Sequence, residues 1–342
     1  MPSRSLKAES LLVGIQASAG SAASSFVKMG EVGVTPGIRG QVDVFEAANQ
    51  RIPSDLDNGA EWAEIGFESR IFFNAIGYFL ASAFGAPTTT TLTDAGAKKH
   101  VWTIRGDSFP TRKLLTLQKG NSTDSEQWID CFVNQLGWSG ERLGTYNFTG
   151  RLIGQPHTRT SLNGSPTTIT KERARARKTG FYMSDSLANL ATALGTNTTF
   201  GTIWGGKVFS FNFSTADMSH PKWVFNPATT NWDDYIEDSI TPTIEVVTEA
   251  NAAAMDPTAS TSMMYALRNG SVRYLAAKVL SPTAIVATDY YMFLWEAAAQ
   301  LNIENMDVQD TQGVVSFPWR WNVIDDGSFS LRITVVNTTA SY

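Results

Sequence analysis

The sequence predicts a mainly β protein, a sandwich or barrel of short strands with few flanking helices. Three observations carry this. Apolar and polar residues alternate with period two in many short stretches; Gly, Asn, Asp, Ser and Thr punctuate them; and helical spacing is rare. The 342 residues suggest about two domains at roughly 150 residues each. With 42% hydrophobic and 17% charged residues, the chain can bury a sizeable core, and charge-driven disorder is excluded.

Taken in order, the amino-terminal apolar stretch Leu11-Leu12-Val13-Gly14-Ile15 is short and preceded by Glu9, a poor signal peptide. Residues 71–86 form the most apolar run, interrupted by Asn74 and ended by Pro87. That run falls short of the ~20 residues of a spanning helix, so the chain reads as soluble and kept in a reducing cytoplasm. Within it, 70–84 fits either a helix or, through Ile71, Phe72 and Phe73, a buried strand. Residues 101–104, 114–118 and 128–136 are strand candidates. Tyr146, Phe148 and Leu152 alternate with polar neighbours, and Gly150 marks a bulge or close approach.

Residues 155–179 are polar, rich in Ser and Thr, and basic at their end, the pattern of a long mobile connection. Residues 185–194 predict a helix capped by Ser184 or Asp185, with Leu187, Leu190, Ala191 and Leu194 on one face and Gly195 as the stop. Phe209, Phe211 and Phe213 alternate with polar residues, and 243–247 and 290–295 are further strands. Phe317, Trp319, Trp321 and Val323, then Phe329, Leu331, Ile333 and Val335, flank Asp325-Asp326-Gly327, which predicts a hairpin. A similar order of elements on either side of the connection suggests duplication: one β domain over 1–155, a basic polar connecting loop over 156–180, and a second β domain over 181–342, with elements free to interleave.

Chemical motifs do not accumulate. A single cysteine, Cys131, excludes an internal disulfide or a cysteine zinc cluster, and three histidines (His100, His157, His220) argue against histidine metal chemistry. Gly201 to Val208 approaches a phosphate-binding loop, but Val208 stands where a Mg²⁺-holding hydroxyl is needed, and a strand pattern follows. Gly137-Trp138-Ser139-Gly140-Glu141 lacks the second glycine of a nucleophile elbow. No catalytic, cofactor-binding or metal residue is nominated. Asp233, Asp234, Glu237 and Asp238 form an acidic group without calcium-loop spacing, expected at a solvated surface or a lumen. The net charge is −5, yet residues 151–180 carry +6, which leaves −11 elsewhere. Arg173, Arg175, Arg177 and Lys178 in that segment are expected to meet an acidic neighbour rather than duplex DNA. Ten tryptophans and nineteen phenylalanines suit core and subunit-interface packing better than a sugar-binding face.

The order Phe67-Glu68-Ser69-Arg70 through Tyr78 to Gly85, a Thr-rich linker, Lys99-His100-Val101-Trp102-Thr103-Ile104 and Leu114 to Gly120 resembles the major tail tube proteins of long-tailed bacteriophages, especially the non-contractile, siphovirus type. Gly313-Val314-Val315, the Asp-Asp-Gly turn and Val335-Val336-Asn337 are similar to that group's closing strands. The resemblance implies a tail-tube-type β-sandwich or barrel whose copies join into rings and stack into a virion tail tube, assembled in the host cytoplasm. Implied partners are sister copies, the tape measure protein, and the tail terminator and tail tip proteins. DNA passes through the lumen without specific binding, and no enzyme activity, cofactor or membrane is implied. Two tube units per chain would give a trimeric ring with pseudo-sixfold symmetry; a hexamer is the alternative. Other readings are a distal tail or capsid decoration protein, or a carbohydrate-binding module. Arg173, Arg175, Arg177 and Lys178 become inter-ring contact candidates.

Overall fold

The computed structural model describes residues 9–45, 55–93, 96–107, 111–142, 144–224, 231–302 and 307–342. The chain opens with β1 (Ser10–Ile15), β2 (Val27–Met29), β3 (Gly33–Phe45), β4 (Asp55–Arg70) and α1 (Ile76–Phe84). Then come β5 (Thr88–Thr91), β6 (Lys98–Ile104), β7 (Leu115–Gly120), β8 (Ser125–Glu141), β9 (Tyr146–Gly154), β10 (Thr158–Thr160) and β11 (Thr167–Thr168). Next are β12 (Thr179–Ser184), α2 (Leu187–Leu194), β13 (Val208–Ser214), β14 (Ser219–Lys222), β15 (Asp234–Glu237) and β16 (Thr243–Glu249). Last are α3 (Ala252–Met255), α4 (Met263–Asn269), β17 (Arg273–Ala284), β18 (Tyr290–Asn302), β19 (Gln309–Thr311), β20 (Val314–Val323) and β21 (Leu331–Asn337).

Pairing sorts the long strands into two layers. One runs β12–β17–β18–β21–β6–β5. The other runs β20–β16–β13–β8–β9–β4–β3. The far end of β18 pairs with β20 and so joins them. Alternation aims one face of each layer inward. Trp138 of β8 stacks on Phe213 with centroids 3.9 Å apart and meets Phe293 of β18 edge-on at 5.6 Å. Trp102, Trp138, Trp295, Trp319 and Trp321 are all buried, so the tryptophan supply goes chiefly into the core. The pairing closes no barrel among the described residues; the fold is a sandwich.

A bulge at Asp130 divides β8. Register with β7 slips between Leu115 and Leu117, and Asp130 adopts φ 53°, a left-handed conformation Asp tolerates better than most residues. Its carboxylate accepts from Gly20 N at 2.8 Å and Gln16 Nε2 at 3.2 Å. Residues 125–131 thus join β7, β1 and β2 in a side sheet, while 132–141 enter the sandwich. Gly150 is the close approach its position suggested. It lies opposite a second β8 bulge between Val133 and Gln135, and a Cβ there would overlap the Phe67 ring and the Gln135 carbonyl.

Several expectations change. The stretch 70–84 resolves into the end of β4 and then α1, whose residues are almost all buried between β8 and β6. A helix enclosed on all sides needs no polar face, which is why its periodicity was ambiguous. The carboxy-terminal strands form as expected, but they do not pair with each other. β20 and β21 lie end to end on one edge of β18, at residues 299–302 and 292–297. Asp325 and Asp326 still make the turn: Asp326 Oδ1 accepts from the backbone of Ser328 (2.8 Å) and Phe329 (2.6 Å). The cap of α2 is Ser186, whose Oγ accepts from Asn189 N at 3.2 Å, not Ser184 or Asp185. The threonine-rich linker is the edge strand β5. The segment after Gly201 leads into β13, with no helix to face a phosphate.

Strands from 1–155 and 181–342 interleave: β13 pairs with β8, and β21 with β6.

Candidate assembly surfaces

The most conspicuous surface is an arm. β3 and β4 pair from Gly33–Glu68 to Phe45–Asp55, but β9 accompanies β4 only from Arg70 to Ala63. Residues 55–62 of β4 therefore run beyond the sandwich with β3 as their only strand partner among the described residues, and among those residues no strand pairs with the other edge of β3, where Val34 O accepts from Lys119 Nζ at 3.1 Å. Pro36 lies on that edge strand, the place where a missing N–H is tolerated. Ile38 and Val42 are exposed at 59% and 50%. Sequence reasoning passed over this arm, although Ala63, Ile65 and Phe67, all buried, alternate with Glu64, Gly66 and Glu68.

The basic segment is pinned, contrary to the mobile connection expected. Phe73 N donates to Glu172 O at 3.0 Å and Ala174 N to Ile71 O at 2.9 Å; single bridges join Phe72 to Arg173 and Thr145 to Arg175. The physical reason is the alanine alternation. Ala174 and Ala176 are buried against the core, which turns Arg173, Arg177 and Lys178 out to solvent and leaves Arg175 half-buried. A short 3-10 turn, Ala176–Lys178, ends the segment. A cleft of about 230 Å³ beside it is lined by Glu141, Arg142, Arg177, Phe181, Ile203 and Phe209, among others. It holds no base and nucleophile pair.

The four acids divide into two kinds. β14 and β15 form a separate two-stranded hairpin. Glu237 reaches Arg112 Nε at 3.3 Å, and Asp238 reaches His220 Nδ1 at 2.7 Å. Arg112 is buried, and it also donates to Ser219 Oγ (2.8 Å), Met218 O (3.1 Å) and Val133 O (3.2 Å). Burial lowers the guanidinium pKa, and the Glu237 charge opposes that fall. Arg112 thus ties the hairpin to β8, a role no local pattern announces. Asp233 and Asp234 are the two of the four that are exposed. Among the described residues, no cluster of three or more His, Cys, Asp or Glu could hold a metal ion. Cys131 is buried, His100 is an internal residue, and among the described residues no helix is long and apolar enough to cross a membrane.

The described surface thus offers a β3 edge with no strand partner, a basic segment and an acidic hairpin. No curated protein sequence matches the chain. The family model for phage tail tube protein matches residues 8–217, the span from β1 through β13 with the arm and the basic segment inside it. A β-rich fold agrees with that match. The protein is therefore a structural, non-enzymatic component of the virion tail, and the chain belongs to the phage tail tube protein family.

Proposed function

We propose that copies of this chain close into rings and that the rings stack into a tube through which the viral genome travels. The arm carries this reading. An exposed edge as long as β3 invites uncontrolled strand addition, and closed symmetry lets sister copies complete it without leaving a terminal edge. The charge outside the basic segment suits a conduit, because an acidic wall repels phosphates, whereas cations would hold the DNA. The tape measure protein fills the lumen during assembly, and terminator and tip proteins close the two ends, in a non-contractile tail of the siphovirus type.

For stoichiometry, residues 1–155 and 181–342 act as two wall units joined by 156–180. Both supply strands to both layers. Three subunits then give six wall positions. Electron microscopy of tubes grown from the purified protein with its tail tip complex tests this, combined with mass measurement of single rings. Rings of three subunits with six similar wall densities are the expected result. Six subunits per ring would overturn the two-unit assignment, and a monomer that forms no ring with or without the initiator would overturn the tube reading.

A further inference from the structure

We propose that the cavity beside the carboxy-terminal end of α2 binds a small organic oxyanion, a carboxylate or phosphate monoester carried on a short apolar stem. This goes beyond the tail-tube reading and uses neither the arm nor the basic segment.

The cavity, about 420 Å³, lies on the face of the β17–β18–β21–β6 layer turned away from the sandwich core. Trp102, Ile333 and Trp295 belong to the core, so alternation turns their neighbours Val101, Thr334 and Leu294 toward the cavity. Register sets these three in one row with Lys278: Val101 lies opposite Thr334, Thr334 opposite Leu294, and Leu294 opposite Lys278. Lys99 stands two residues to one side of that row and Arg332 two residues to the other, each about 7 Å away along its strand. Lys278 is two strand spacings from Thr334, about 10 Å. Cations therefore stand on three sides of the buried Thr334.

These charges are not spent on one another. Glu296, the one carboxylate lining the cavity, takes Arg332 Nε at 2.7 Å and Nη2 at 2.5 Å, which leaves Nη1 outside that pair. Lys99 has no hydrogen-bond or ion-pair partner among the described residues. Lys278 is buried and donates to main-chain oxygens: Leu194 O at 2.8 Å, Thr199 O at 2.6 Å, and Thr196 O. Those bonds hold the end of α2 and the following turn over the cavity as a roof, and Asn197 Nδ2 ties the roof to Asp289 Oδ1 at 3.1 Å. Burial pushes the Lys278 ammonium down to about 8, as befits a cation with no carboxylate of its own. The lining carries +2 at neutral pH, in a chain whose net charge is −5. A half-enclosed positive hollow with low-dielectric walls concentrates its field on an anion. Val101, Met292, Leu294 and Ala191 add apolar wall. The matching ligand sets its charged head over Thr334, between Lys99 and Arg332, and its hydrocarbon part under α2. The volume lies in the range of small-molecule pockets, roughly 300–1,000 Å³, and a bare ion would leave most of it unfilled.

The test is titration of the full chain with butyl phosphate and with pentanoate, read by calorimetry and by the shift in Tm, against sodium chloride at equal ionic strength. At least one of the two is expected to half-saturate at or below about 1 mM, and the tighter one identifies the head group. Inorganic phosphate should bind about tenfold more weakly or worse, because it lacks the stem. The uncharged alcohol 1-butanol should give no shift at the same concentration. Lys99→Met keeps most of the side-chain stem and removes the charge. It should weaken binding about tenfold or more, the loss that one charge-assisted hydrogen bond carries, with an unchanged circular dichroism spectrum and an unchanged Tm in the absence of ligand. Thr334→Val, which removes one hydroxyl donor, should weaken it several-fold. Lys178→Met, in the basic segment, should bind as the wild type does. The assignment would be overturned by saturation with neither anion below about 10 mM, by wild-type affinity in Lys99→Met, by butanol binding as tightly as the anions, or by an equal loss in Lys178→Met. None of these results bears on ring or tube formation, so their failure leaves the tube reading standing.

Discussion

Replacing Arg112 with Met should detach the β14–β15 hairpin and destabilise the subunit. The guanidinium is buried and serves four acceptors, the Val133 and Met218 carbonyls, Ser219 Oγ and the Glu237 carboxylate. Met fills similar volume but donates nothing, so two carbonyls lose a donor and Glu237 loses its counter-charge in a partly desolvated place. Breaking a buried pair from one side costs about 3–5 kcal/mol. At ~2.1 cal/mol/K per residue, unfolding 342 residues carries an entropy of about 0.7 kcal/mol/K. The expected fall in Tm is therefore about 4–7 °C. Calorimetry on the unassembled subunit measures it, and limited proteolysis should cut between residues 218 and 239 before the sandwich opens. Combining Arg112→Met with Glu237→Gln should cost less than the sum of the singles by about 1–3 kcal/mol, because the carboxylate is then no longer stranded. A Tm drop below about 1 °C, or strict additivity, would refute the claim that Arg112 is the anchor.

Two further outcomes follow from the sandwich interior. Gly150→Ala should cost about 1–3 kcal/mol by overpacking, since its Cβ meets the Phe67 ring and the rigid Gln135 carbonyl; a chemical denaturation midpoint equal to wild type would refute the close approach. His100 is buried, with Nε2 3.0 Å from Thr339 O, which places the proton there, and Nδ1 2.9 Å from Thr89 Oγ1. Burial, the largest influence, lowers its pKa, so as pH falls through about 6.5 the unfolded chain takes up the proton first and stability is lost. The wild type should therefore lose stability between pH 7 and 5 more steeply than His100→Gln, by up to ~1.4 kcal/mol per pH unit. Parallel pH profiles for the two proteins would contradict a neutral, internal histidine.

Local pattern sufficed for several strands that bury one face, though not for β4. Phe209, Phe211 and Phe213, and Trp319 with Trp321, show their alternation directly, and β13 and β20 lie where it indicates. The order of elements that resembles tail tube proteins was likewise written in 67–120, inside the span that the family model matches. Gly150 and the stop at Gly195 (φ 67°) were readable because glycine tolerates close approach and positive φ.

What lay beyond the sequence were relations between distant segments. Alternation identifies which face of β20 and β21 is buried, but pairing energy is nearly independent of which neighbour supplies the hydrogen bonds. Only packing decided that both strands share β18. The basic segment was legible as charge, yet its position depended on two small alanines fitting a core built from other strands. Arg112 gains its meaning from Glu237, far along the chain. Composition and periodicity determined a β-rich, acidic chain. The place of the basic segment and the unpaired edge of β3 came from long-range contacts, because register across a sheet is a property of the whole chain and not of any window within it.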